Sequence, residues 1–243
     1  MTKTRLAILF AAAFLLFLAA TLPLGVAANL LGFEKSGLSY SKAEGTIWDG
    51  TLSGVVFQGG QLGRLDISAD PLALAALRLR IDWALSGGRI AGRGVFERRV
   101  GAKVTLRDMV LDADLRGLAT IVPVSGTLFA TVEEIAFGAN GCEVAEAVIE
   151  TNALQKTPNE FDWVGPVLTG RPQCDGPRLV LPLEGAEGNE RVAIEMWIRP
   201  DFDFGTRVTI DTENMGLRTA LGIMGFEDRG GGYELVQRAR RPS

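Results

Sequence analysis

The sequence predicts a mainly β protein: an N-terminal transmembrane helix, then a curved antiparallel β-sheet or partly open barrel with one or two short helices. Three observations predict it. A charge-free apolar run fills the N-terminus. Beyond it, apolar and polar residues alternate with period two in one segment after another. Glycine-rich turns such as "SGGR" (Ser86–Arg89) and "EGAEGN" (Glu184–Asn189) separate those segments.

The apolar run, "LAILFAAAFLLFLAATLPLGVAANLLGF", extends from Leu6 to Phe33. At ~1.5 Å per residue it exceeds the ~30 Å hydrocarbon core of a bilayer. Lys3 and Arg5 precede it, while Glu34 and Lys35 cancel behind it. The positive-inside rule then leaves residues 1–5 as a cytoplasmic stub, makes residues 6–31 the anchor and exports residues 35–243. Pro23 and Gly25 in the second half are positions where the helix kinks or ends. "VAAN" (Val26–Asn29) also offers a signal-peptidase site after Ala28. Retained or cleaved, the segment exports the same remainder.

Alternation defines the strands. "RLDISA" sets Leu65, Ile67 and Ala69 against Asp66 and Ser68. "LRLRIDWAL" sets Leu77, Leu79, Ile81, Trp83 and Leu85 against Arg78, Arg80 and Asp82. Leu111, Ala113 and Leu115 share a face, as do Leu179, Leu181 and Leu183. Val192, Ile194, Met196 and Ile198 form another row, and Val208 and Ile210 a last one. Short connections favour antiparallel neighbours, and one apolar face implies a sheet covered on one side. "GTIWDGTLSGVVFQGGQLGRLDI" (Gly45–Ile67) reads as a bent hairpin turning near "GGQLG". Its glycines serve bulges, and Trp48 closes the end nearest the membrane.

Helical signals are few. "DPLALAALR" begins with Asp70 as N-cap and Pro71 at N1, enough for two turns before Arg78. In "TENMGLRTALGIMGFE" (Thr212–Glu227) Met215, Ala220, Ile223 and Met224 recur at helical spacing, although Gly216, Gly222 and Gly225 weaken the helix. That predicts a short terminal helix over one end of the sheet, with a last strand near "GGYELVQR". "TNALQKTPNEFDWVGPVLTGRPQC" (Thr151–Cys174) breaks the alternation and predicts a long irregular loop. Within it "EFDW" (Glu160–Trp163) either meets a partner or folds Phe161 and Trp163 back onto the sheet.

Composition excludes several functions. The chain has 243 residues, 47% of them hydrophobic, a net charge of −4 and pI ≈ 5.1, which argues against a nucleic-acid partner. Arg238, Arg240 and Arg241 read as a small solvated basic tail. Histidine is absent, so a Ser-His-Asp or Cys-His enzyme and a His-ligated zinc are excluded within the chain. Cys142 and Cys174 are the only cysteines. In an oxidising compartment they are expected to pair, closing a loop of about 32 residues worth roughly 3–4 kcal/mol; two buried free thiols are the alternative. Asp112 and Asp114, ~7 Å apart on one strand face with Arg116, read as solvated charges. Glu133 and Glu134 are adjacent and point to opposite faces of a strand. "GRIAGRGVF" (Gly88–Phe96) lacks the helix that a phosphate-binding glycine loop needs. No catalytic, cofactor-binding or metal residues are assigned, and no cofactor is expected.

The order of these features resembles the type II secretion system protein N family. It starts with the anchor and "GLSYSKAEGTIWDGTLSGVVFQGGQLGRLDISADPLALAALRLRIDWAL". "GCEVAEAVIET", "GRPQCDGPRLVLPLEG" and "ALGIMGF" follow. The resemblance implies a non-enzymatic, single-span inner-membrane protein with a periplasmic β domain, supporting export of folded exoproteins together with other secretion subunits. It maps the family's disulfide onto Cys142 and Cys174. A looser similarity to AsmA-like and lipopolysaccharide-bridge proteins implies lipid as a partner for the apolar sheet face.

Overall fold

The computed structural model describes residues 3–30, 32, 37–57, 60–99, 103–116, 125–156, 163–199, 203–230 and 232–239. Phe161, Arg240, Arg241, Gln58 and Gly59 lie outside these. The chain divides into two compact units, Met1–Ala91 and Gly92–Ser243.

The first unit opens with two helices, α1 (Lys3–Ala20) and α2 (Leu24–Leu30), where the sequence predicts one span over 6–31. Pro23 explains the break, since its ring cannot continue a helix. The 18 residues of α1 cover about 27 Å, and the first three are Lys3, Thr4 and Arg5. Among the described residues no helix is long and apolar enough to cross a membrane. The α2 segment has been drawn into the protein, burying Leu24, Ala27 and Ala28.

Five strands follow: β1 (Leu38–Ser39), β2 (Lys42–Gly45), β3 (Gly50–Phe57), β4 (Gly60–Ala69) and β5 (Arg78–Gly87). They run in the order β1-β3-β4-β5, with β2 also on β3, and every pair is antiparallel. The predicted rows meet face to face: Leu65 opposes Leu85, Ile67 opposes Trp83 and Ala69 opposes Ile81. Leu77 does not join them. It precedes β5 with φ 55° and is 70% exposed.

The glycine-rich stretch is a bulged hairpin. Register shifts fall between Ser53 and Val55 and between Val55 and Val56. Gly54 sits at φ +62°, where a Cβ would overlap the Ser41 side chain. This bulge turns Leu52 and Val55, three residues apart, into one core, where they pack with Leu24 against Leu62, Leu65 and Ile67. Between β4 and β5 lies α3 (Pro71–Ala75). As predicted, Asp70 caps it, accepting from the Leu72 N–H at 2.8 Å.

The second unit takes all but the first two residues of β6 (Ile90–Arg99) and contains β7 (Val104–Asp114), β8 (Thr127–Gly138), β9 (Gly141–Thr151), α4 (Ala153–Lys156), β10 (Leu168–Gly170), β11 (Gln173–Asp175), β12 (Arg178–Glu187), β13 (Glu190–Ile198), β14 (Phe204–Asp211), α5 (Met215–Ile223), β15 (Glu227–Asp228) and β16 (Tyr233–Ala239). Hydrogen-bonded neighbours run β6-β7-β8-β9-β10-β12-β13-β14-β16-β15, and β11 adds to β12. From β7 onward the ladders are antiparallel. The sheet is open. Its apolar face carries Leu183 opposite Ile194 and Ile194 opposite Val208, with Val192 opposite Ile210 in the next row.

At one end of this face Leu168, Leu183, Val192, Ile210, Leu217 and Leu221 form the core. Leu217 and Leu221 come from α5, whose Asn214 cap accepts from the Leu217 N–H at 3.0 Å. The helix was expected to turn Met215, Ala220, Ile223 and Met224 inward. Of these only Ala220 is buried, beside Leu217 and Leu221, and both methionines and Ile223 are exposed. Leu217 and Leu221 lie one turn apart, and Ala220 falls between them on the same stripe. The other sheet face is not uniformly polar either. Val180 opposes Trp197, both buried, and the Trp197 ring covers Gly205, where a Cβ would overlap it.

The predicted irregular loop between the cysteines contains regular structure. It holds α4, β10 and β11, and β10 inserts between β9 and β12. Trp163 folds onto the core, and its indole N–H donates to Glu190 Oε2 at 2.7 Å.

Candidate functional site

The most distinctive part of the first unit is one end of its sheet. Gly45 pairs with Gly50 across the turn Thr46–Asp49. That turn holds the N-terminal segment by backbone: the Ile47 N–H donates to Leu22 O at 3.2 Å, and Pro23 bridges Thr46. Ser68 Oγ donates to the Trp48 carbonyl at 3.0 Å, tying the turn to the end of β4. The Asp70 N–H donates to Arg80 O at 3.0 Å, fixing α3 beside it. Tyr40 reaches across to α2, its hydroxyl donating to Asn29 Oδ1 at 3.1 Å. The α1 helix, α2, the Trp48 turn and α3 therefore converge on one end. The burial of Leu24, Ala27 and Ala28 was missed from sequence, where they read as more of the apolar run.

This end exposes apolar surface. On α1, Leu9, Phe10, Phe14, Phe17 and Leu18 are exposed, Phe10 by 73%. On the α3 turn, Ala73 is buried inward while Leu72, Leu74 and Leu77 face out.

The carboxylates singled out from sequence do not gather. Asp114 is engaged by Arg116, whose Nη2 donates to Oδ2 at 2.6 Å. Asp112 opposes Phe129. Against β9 a register shift falls between Val132 and Glu134. Glu134 accepts from Arg107 at 2.8 Å, and that bond raises the Arg107 pKa. Asp66 has its pKa lowered chiefly by the Thr51 hydroxyl, which donates to Oδ1 at 2.5 Å, and then by Arg64. Gly92 and Gly94 lie within β6, where side chains would crowd Val110 and Met109 of β7. Among the described residues no three His, Cys, Asp or Glu side chains are placed to hold a metal.

Among the described residues, two open grooves stand out on the second unit. One of about 560 Å³ is a trough over β12–β14, with Glu184 and Asp211 flanking Arg191. The other, about 400 Å³, lies between Glu133, Glu146 and Arg171. Cys142 and Cys174 are bonded, with Cα atoms 5.4 Å apart. The Cys142 N–H also donates to Pro177 O at 3.1 Å, so β9 is tied to the β11–β12 hairpin by a covalent bond and a hydrogen bond.

A sequence profile described as type II secretion system (T2SS), protein N, matches residues 36–236. The chain belongs to this family. The match spans both compact units, including the Gly54 bulge, the disulfide and α5. Membership gives the chain a role in type II secretion and an association with other components of that system. No curated protein and no solved structure matches significantly.

Proposed function

We propose that the chain is a non-catalytic component of the type II secretion machinery, held in the inner membrane by α1 with residues 35–243 in the periplasm. There it supports export of folded exoproteins. The family match over residues 36–236 carries this reading. For the anchor, the support is the charge-free surface of α1 behind Lys3 and Arg5. A short apolar helix is accommodated by local bilayer thinning, and flanking cations snorkel to the interface. The N-terminal segment is retained in this reading, because a cut after Ala28 would remove Leu24 from the core it shares with Leu52 and Val55.

The test is deletion of the gene, followed by partition of an exoprotein between periplasm and medium. Folded exoprotein should accumulate in the periplasm. The full chain should restore export, whereas a chain lacking residues 6–20 should not. Unchanged secretion in the deletion strain would refute the role. A reporter fused after Ser243 that is active only in the cytoplasm would refute the topology.

A second reading, lipid binding, is favoured by one observation. Among the described residues, the core under α5 does not reach the row Leu179, Ile198 and Phe204 at the other end of the apolar face, and Phe204 is exposed. Acyl chains are the ligand suited to such a row. Mass spectra of the purified chain in non-lipid detergent should then show bound phospholipid, and a lipid-free spectrum ends this reading.

A further inference from the structure

We propose that the α3 turn is a second membrane contact, with Leu72, Leu74 and Leu77 seated in the lipid–water interface beside α1. The inference rests on the reading of α1 as the anchor. Its own basis is the arrangement at one end of the first unit. The chain leaves α1 through Leu22 and Pro23, which are bonded to Ile47 and bridged to Thr46. The same turn is tied through Trp48 and Ser68 to the end of β4 from which α3 departs. Membrane insertion of α1 therefore brings α3 to the bilayer surface.

The α3 turn is shaped for an apolar medium and poorly for water. Leu72 is 80% exposed and Leu77 70%, with Leu74 between them. Leu77 is held at φ 55°, a left-handed conformation costly for a side chain of its size. Its N–H donates to Leu74 O at 2.9 Å, closing the turn so that the two leucines stay together. Arg78 follows immediately and is exposed, a position suited to anionic headgroups. Asp70 caps the helix and binds the Arg80 carbonyl through its N–H, so the leucines are presented on a fixed turn.

The experiment uses the full chain with its disulfide intact, reconstituted into vesicles of phosphatidylethanolamine and phosphatidylglycerol. Single cysteines carrying an environment-sensitive fluorophore are placed by Phe10→Cys, Leu72→Cys and Gln61→Cys. Gln61 is exposed beside the β3–β4 turn, at the opposite end of the same strands. Nitroxide lipids then report depth. The expected result is strong quenching at residues 10 and 72, with residue 72 roughly 5–10 Å into the headgroup–acyl boundary, and none at residue 61. Quenching at residue 10 without quenching at residue 72 overturns this proposal and leaves the anchor standing. A blue-shifted but unquenched label at residue 72 assigns the leucines to a second copy of the chain and also overturns it. Equal quenching at residues 61 and 72 shows indiscriminate adsorption and does the same. Quenching at residue 72 but not residue 10 supports the contact and refutes the anchor. No quenching at either position refutes both.

Discussion

Removing the Cys142–Cys174 bond is expected to cost the second unit about 3.7 kcal/mol. The perturbation is the double substitution Cys142→Ser and Cys174→Ser, which removes the cross-link while leaving polar side chains of similar size. The figure follows from the sequence separation of 32 residues. With the loop-closure expression, −2.1 − 1.5R ln 32 gives roughly −12 cal/mol/K of unfolded-state entropy, or ~3.7 kcal/mol at 25 °C. The structure adds a local signature. Cys174 lies on a three-residue strand that, among the described residues, pairs with β12, through Gln173–Val180, Cys174–Leu179 and Asp175–Arg178. Without the bond, amides of Gln173–Asp175 should exchange fast, while the long β13–β14 ladder keeps its protection. The assay is urea unfolding of the full chain in detergent, read with hydrogen exchange by mass spectrometry. A loss below ~1 kcal/mol would show that the unfolded chain is already restrained. Equal loss of protection in β11 and β13 would show that the bond does not act locally.

Three further outcomes follow from particular contacts. Leu52→Ala should destabilise the first unit by about 2–5 kcal/mol, because Leu52 is 0% exposed in the cluster with Leu24 and Val55; unfolding monitored by Trp48 and Trp83 fluorescence measures it. Gly54→Ala should cost at least ~1 kcal/mol, since its left-handed φ and the Ser41 contact both oppose a Cβ, and a neutral thermal melt would contradict this. Asp66 has a depressed folded-state pKa, so its contribution is present above pH ~4 and is lost as the pH falls through that lower value. The Asp66 side chain is 41% exposed and screened by solvent, so Thr51→Val should remove no more than ~1 kcal/mol, and only above that window.

Much of the sheet was legible because period-two alternation survives single-residue reading. Val192, Ile194, Leu181 and Leu183 all lie where alternation puts them, and Leu65–Leu85 and Ile67–Trp83 pair across strands. The Asp70–Pro71 start of α3 was legible for the same reason, since a cap is local chemistry. What failed depends on distant partners. The Leu217–Ala220–Leu221 stripe of α5 is chosen by the sheet beneath it, and nothing within residues 212–227 ranks it above Met215 and Ile223. The burial of Val180 with Trp197 is a property of a register that no single strand encodes. At the N-terminus, hydropathy treats Leu24 and Leu18 alike. Only the β3 bulge shows that Leu24 has a protein cavity to fill.

The shortest ladder in the second unit has a mechanical meaning. Strand β10 contributes three register pairs to β9 and, among the described residues, one to β12, Thr169–Glu184. On either side, β8–β9 and β12–β13 are zipped along nearly their full length. The sheet thus has a seam, with hydrogen bonds thinnest where β10 gives way to β11. At the far end of that seam the sulfur bridge acts as a bolt. A pull applied across the strands would open the structure there first and stop at the bolt. The halves β6–β9 and β12–β16 would then flex as two plates that cannot come apart.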